Sequence, residues 1–297
     1  MHSVPIIETD RLILRPYRRD DFPSYAALFG ERHPRLGDLH ANLGGMYLML
    51  ADEARAADSF DRALAILDPL LPKDHPQRLH VMSGIATLER MRGNRDRAIA
   101  LQREVLAGRM AARQEREVIG ACVNLGTALL EGDHDEPELL AEVDELGSRG
   151  LAIVERLGPP GAAVTPWLLR IEVALRRGRL DEANRMVASA KAAAADPSAA
   201  VDKQLQALTM AVNVALARKD AAAGKAAIDE AELAVLRSGE ILSLATELFV
   251  LAKARWELDY DRKRAIELAR RAEGLLAKRK DHTGRLAEVR AWLDAHG

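Results

Sequence analysis

From Gly37 onward, apolar and small residues return every three or four positions, and polar or glycine-bearing breaks interrupt them at regular distances. The clearest stretch is Ala41–Leu64, inside a first unit spanning Gly37–Pro69; it reads as two amphipathic helices joined at Ala51-Asp52. Small residues stand at Gly44, Ala56 and Ala63, where two helices must cross closely, and Leu43, Tyr47 and Phe60 fill the space between. Alignment by the breaks gives five further helix–turn–helix units. The second covers Leu79–Leu106, turns at Gly93-Asn94 and carries its small residue at Ala98. The third begins near Ile119, sets Leu125-Gly126 against Leu43-Gly44, turns at Gly132-Asp133 and has a long second helix, Pro137–Leu157. The fourth holds Trp167, Gly178, Asp181-Glu182-Ala183 and Ala190. The fifth turns at Lys219-Asp220 before Ala231; the sixth has Trp256, a turn at Tyr260-Asp261, then Ala265 and Ala272. Ala190, Ala231 and Ala272 lie 41 residues apart, which sets the period nearer 41 than 34.

Three features punctuate this rhythm. His33-Pro34 recurs as His75-Pro76, 42 residues later, each time just before a first helix, where proline suits the first turn. Gly158-Pro159-Pro160-Gly161 and Asp196-Pro197-Ser198 cannot be helical and offer places for a stack to bend. Thr283–Ala295 reads as a last helix, with Leu286, Val289, Trp292 and Leu293 on one face and Arg285, Glu288 and Asp294 on the other. A terminal helix of that kind shields the last interface of an open stack.

Residues 1–30 have a different texture. Leu12–Leu14 form a strand-like run closed by Pro16, a lone strand with no sheet to join. Asp20-Asp21 then cap a helix running to Phe29, with Gly30 as its stop. The segment is expected to be poorly integrated, so that its deletion leaves the melting temperature nearly unchanged.

Composition narrows the classes. Of 297 residues, 48% are hydrophobic and 30% charged, which is globular; aromatics at 4% favour close-packed helices over sheets. A net charge of −2 gives no case for nucleic acid as a bulk electrostatic partner. One cysteine, Cys122, excludes an intramolecular disulfide framework and fits a reducing compartment. The N-terminus lacks an apolar signal-type run, and no stretch approaches a membrane span. The expectation is a cytoplasmic protein with no membrane association.

The Leu43-Gly44-x-x-Tyr47 and Ala56-x-x-x-Phe60-x-x-Ala63 strings resemble a tetratricopeptide repeat (TPR), and the period resembles the kinesin-light-chain-like variety, with its HP-containing loop. It also resembles the repeat regions carried by large bacterial signalling proteins, Ser/Thr kinases among them. The resemblance covers about nine tenths of the chain and implies an all-α, right-handed α-solenoid of about six repeats plus a capping helix over residues 31–297. ETDRLILRPYRRDDFPSYAALF resembles the opening of a GNAT-type N-acetyltransferase, and residues 1–30 read as its truncated start. The acetyl-CoA loop that family needs is missing. Arg90-Met91-Arg92-Gly93-Asn94-Arg95 ends in Arg where a small residue belongs and falls at a turn between helices.

No catalytic constellation emerges. Cys122 occupies a packing slot, the one Trp167 fills in the next unit, and reads as a core thiol. Asp133-His134-Asp135-Glu136 are neighbours in a turn and do not converge on one centre. His33, His75 and Lys280-Asp281-His282 fall at helix starts and carry no metal reading. Lys278-Arg279-Lys280 reads as a solvated helix end. The chain is therefore expected to be non-enzymatic, with no cofactor and no metal.

What the repeat resemblance implies instead is a concave groove lined by first helices. Carried over position by position, its lining is Asn42, Gly45, Leu48 and Met49, then Ser83, Thr87, Arg90 and Met91. Val123, Asn124, Thr127 and Glu131 follow, then Leu168, Glu172, Arg176, Thr209 and Asn213. Amides there suit a peptide backbone, and Met or Leu suit apolar contacts; alternatively, the Asn residues satisfy neighbouring helices. A carboxylate clamp for chaperone tails is not expected, since Gly120 and Asn124 stand where Lys and Arg are needed. The sequence thus points to an interaction scaffold for a protein or peptide partner, with self-association left open. The alternatives are a regulatory array of a Ser/Thr-kinase-type system and an acetyltransferase remnant.

Overall fold

The computed structural model describes residues 7–9, 12–14, 33–50, 52–132, 135–238, 245–277 and 283–297. Near the N-terminus, β1 (Ile7–Thr9) pairs antiparallel with β2 (Leu12–Leu14), Ile7 opposite Leu14 and Thr9 opposite Leu12. The strand expected at Leu12–Leu14 is therefore present but not alone. The alternation that marks its partner is only three residues long, too short to stand out from the sequence. The helix expected from Asp20-Asp21 lies outside the described residues.

Thirteen α-helices follow among the described residues. They are α1 (Pro34–Met49), α2 (Glu53–Leu67), α3 (Pro76–Met91), α4 (Arg95–Ala111), α5 (Glu115–Leu130) and α6 (Pro137–Leu157). After a 3-10 turn at Pro160–Ala163 come α7 (Val164–Arg176), α8 (Leu180–Ala194), α9 (Val201–Ala217) and α10 (Ala221–Ser238). The last three are α11 (Ala245–Glu257), α12 (Arg262–Leu276) and α13 (Thr283–His296). Consecutive helices pair as α1/α2 through α11/α12, and α13 packs on α12. These are the six units and closing helix that the breaks define.

Local chemistry sets the boundaries. At both His-Pro sites the imidazole Nδ1 accepts a backbone N–H, from Arg35 at 3.2 Å and from Gln77 at 3.3 Å, while Pro takes the first helical position. The repeated His-Pro is thus a helix cap. The turns inside pairs close with one recurrent bond, reaching back five residues: Asp52 N–H to Tyr47 O, Asn94 to Glu89, Arg179 to Ala174, Asp220 to Ala215 and Tyr260 to Arg255. In the last four of these turns a left-handed residue makes the reversal possible, at Gly93, Gly178, Lys219 and Asp259.

Packing follows from side-chain size. A Cβ on Gly44 or on Gly84 would lie 2.5 Å from the Phe60 ring, so this one aromatic wedges between α1, α2 and α3. Phe60, Ala56 and Ala63 are buried, and burying the ring stabilises by on the order of 2–3 kcal/mol. First helices pack on successive first helices (α1 on α3, α5 on α7, α7 on α9, α9 on α11), whereas no two successive second helices pack comparably among the described residues. The stack therefore curves with first helices on the inside. Second helices are bridged by long side chains instead, as in Arg103–Glu142 at 2.7 Å and Lys191–Glu230 at 2.5 Å.

The two loops expected as bending points are fastened to each other. Gly161 N–H donates to Ser198 Oγ at 3.0 Å, and a Cβ on Gly161 would sit 2.4 Å from Ala199 N. At the far end, α13 buries Val289 and sets Trp292 edge-on to Phe249 at 6.0 Å and to Trp256 at 5.7 Å. His296 stacks on Trp292 at 4.6 Å. Trp256 thus serves the junction with the closing helix.

A candidate partner-binding groove

The residues expected to line the groove fall into three states. Asn42, Asn124, Thr127 and Asn213 are exposed, as is Met49 at 77% of its surface. Arg90 and Glu131, one repeat apart, form an ion pair between α3 and the end of α5. Arg176 bonds Glu172 at 2.9 Å and donates to the carbonyls of Leu130 at 2.7 Å and Gly132 at 3.1 Å, which anchors α7 to the preceding turn. Leu48 is half-buried and packs into the first pair's core, as Leu168 does in the fourth. Thr209 is buried and its hydroxyl donates to carbonyls of its own helix.

Ser83 is nearly buried and acts as a hub. Its Oγ accepts from Asn124 Nδ2 at 3.3 Å, and its carbonyl accepts from Thr87 Oγ1 at 3.0 Å and Gln102 Nε2 at 3.5 Å. Around it, a cavity of about 110 Å³ lies between α3 and α5 over α4, lined by Thr87, Arg90, Gln102, Asn124 and Thr127. Four of these were expected from the sequence to line the groove. Gln102 was missed because it belongs to a second helix, where the repeat pattern places packing residues. It is only 3% exposed, and its Oε1 is buried without a hydrogen-bond partner.

The remaining chemistry candidates divide between residues packed into the fold and residues outside the described ones. Cys122 is fully buried, and burial pushes its thiol up to about 11, away from nucleophilic use at neutral pH. Among the described residues no group of three metal-type side chains converges. Asp133 and His134 lie outside the described residues, as do Lys278-Arg279-Lys280 and His282, while Asp135 meets Arg176 at 3.5 Å. Among the described residues, no helix is long and apolar enough to cross a membrane.

The sequence itself matches no protein-family model and no curated protein. The structure does match solved ones. It is similar to the nearly identical TPR-like repeats of a Podosopora anserina kinesin light chain, at 15% identity and a TM-score of 0.55, over 70% of this chain and 99% of that one. The chain has the TPR-solenoid fold. Two further solved structures share it. One is the apo quorum sensor NprR from B. thuringiensis, at 14% identity and a TM-score of 0.59, covering 91% of this solenoid and 75% of that chain. The other is a Rap protein complexed with competence and sporulation factor, at 12% and 0.58, covering 85% and 72%.

One cluster the sequence reading missed lies outside the groove. Arg255, 6% exposed, bonds Glu232 and Asp229 of α10, the latter at 3.1 Å, and lies over the Tyr260 ring at 4.4 Å. Arg264 joins Glu232 at 3.1 Å, and Tyr260 Oη donates to Asp229. The polar contacts of these residues to α10 span 23 to 32 residues in sequence, so no local signal marks them.

Proposed function

We propose that the solenoid is a non-catalytic scaffold that holds a protein or peptide partner along its inner face. The observation that carries this reading is the row of exposed neutral polar side chains on first helices, Asn42, Asn124, Thr127 and Asn213, beside the apolar Met49. Amides and hydroxyls in such a row can exchange hydrogen bonds with a backbone without burying charge. The cations of the same face are engaged, Arg90 with Glu131 and Arg176 with Glu172 and two carbonyls, so charge is locally compensated. Fold likeness to a Rap protein complexed with competence and sporulation factor supports the reading.

The test is an unbiased pull-down with the full chain and with a doubly substituted N124A/N213A chain. Specific partners held by the first and lost at least about tenfold by the second are expected, as for the removal of hydrogen bonds worth about 1–3 kcal/mol. A chain that captures nothing, or captures equally well after substitution, contradicts the proposal. Acetyl-CoA titration addresses the enzyme alternative: micromolar binding would replace the scaffold reading with a transferase one.

A further inference from the structure

An open cleft of about 910 Å³ lies outside the groove, where the end of α6, the 3-10 turn, the start of α7 and the end of α8 meet. Its walls are largely apolar, built from Leu151, Val154, Pro160, Ala163, Trp167 and Ala193, and the half-buried Trp167 is the largest of them. None of the residues expected to line the groove borders it. Two carboxylates belong to the same lining, Glu155 of α6 and Asp196 just beyond α8. Asp196 is fixed in place. Ser198 donates to its Oδ1 through the hydroxyl and, at 2.9 Å, through the backbone N–H, while Ser198 Oγ accepts from Gly161 N–H at 3.0 Å. The hydroxyl and N–H of Ser198 hold that carboxyl below the usual carboxylate range, so it is charged at neutral pH and its Oδ2 stays open. Glu155 is exposed and makes no ion pair among the described residues.

The cations around the cleft are engaged elsewhere. Arg156 gives two nitrogens to Glu115, at 2.8 and 3.0 Å, and Lys191 pairs with Glu230 at 2.5 Å. Arg170, 5.6 Å from the centre of the Trp167 ring, bonds Asp144 at 2.8 Å. The cleft therefore sets two negative charges, with no cation of their own, beside an apolar surface. A carboxylate or phosphate ligand would meet like charges there. An uncharged apolar ligand would dry the carboxylates without offering either a partner. An ammonium on an apolar body meets both demands: the body covers Trp167 and the aliphatic wall, and the N–H groups donate to Asp196 Oδ2 and Glu155. The volume agrees, since small-molecule sites run to about 300–1,000 Å³. The bond between Gly161 and Ser198 preforms one wall, which reduces the ordering that binding requires.

We infer that this cleft is a site for a small organic ammonium with an apolar body. The site is independent of the scaffold reading and of any partner in the groove. The probe is phenethylamine, titrated into the full chain and followed by NMR at the Trp167 indole N–H. Phenylpropionate, with a similar body and the opposite charge, and ethylamine, with the charge and little body, are the controls. Saturable shifts at Trp167 in the millimolar range suited to so small a ligand are expected from phenethylamine, and none from the controls. E155Q should weaken binding about three- to fivefold and E155Q/D196N about tenfold; the exposed Glu155 keeps the test valid if the double variant fails to fold. No saturable shift at Trp167, an equal response to phenylpropionate, or an affinity unchanged by E155Q overturns the inference. A Phe-Lys dipeptide blocked at both ends should bind no more tightly than phenethylamine. Binding stronger by about tenfold would make the cleft a seat for a partner's side chains and overturn the small-molecule assignment.

Discussion

Ser83 shows how a single residue can give a groove its chemistry without being exposed. It takes hydrogen bonds from Thr87, Gln102 and Asn124, and so decides which of their atoms remain for a ligand. Other residues make sharper stability statements. Arg255 is buried against Glu232 and Asp229; R255A should cost about 1–3 kcal/mol in urea unfolding, because the half-buried Glu232 would keep only Arg264 as its ion-pair partner. A loss under about 1 kcal/mol would show that Glu232 reaches water instead. Glu247 is the opposite case. Burial raises its pKa, opposed by Arg285 and Lys203 and reinforced by Asp202, and its Oε2 has no partner. Its folded-state pKa therefore lies above the unfolded one, so its contribution favours the fold in acid and is lost as pH rises through the shifted value. E247Q should melt higher than the wild type at neutral pH, and the two should converge in acid; equal melting at neutral pH would contradict this. Cys122 should resist thiol reagents in the native state and react only on unfolding, which a colorimetric thiol assay with and without denaturant reads directly.

At the scale of elements, the sequence was most legible where backbone geometry narrows the choice of residue. Gly93 and Gly178 announce turns because left-handed backbone favours glycine, and the other breaks follow from the period. Lys219 and Asp259 take the same conformation without announcing it, held by the recurrent hydrogen bond that closes the turn. The His-Pro pairs were legible as a period but not as a cap, since capping is a matter of where one ring nitrogen lies. H75A should cost about 1 kcal/mol or less and H75N should restore it, by thermal unfolding. Loop contacts were not legible at all: Gly161 and Ser198 are 37 residues apart, and Gly-Pro composition speaks only of the absence of helix. G161A should destabilise by about 1–3 kcal/mol, because its methyl group would meet the Ala199 backbone rather than a side chain able to swing away. Unchanged stability in that variant would mean that the loops are not fastened.

Over the whole molecule, the period does two jobs. It stacks first helices on first helices, which curves the array, and it brings residues one repeat apart into register, as Arg90 with Glu131 and Ser83 with Asn124. The groove positions could be named from the sequence because that register is simple; their state could not. Whether Arg90 stands open or paired, or Leu48 points outward or into the core, depends on partners about forty residues away. The two ends of the array also differ. Met46 is 54% exposed, while residues at the same distance before the recurrent turn bond in later first helices, Leu88, Val173 and Val214, are buried against the pair before them. At the other end, α13 covers the last pair. In the proposed scaffold, recognition falls on the inner face, between these ends. Hydrogen–deuterium exchange on the full chain, with and without a partner recovered by pull-down, tests this most directly. Added protection should fall on the first helices, α1, α5 and α9 above all, and spare the second helices α2, α6 and α10; protection centred on the second helices, or none on any helix, would contradict the account.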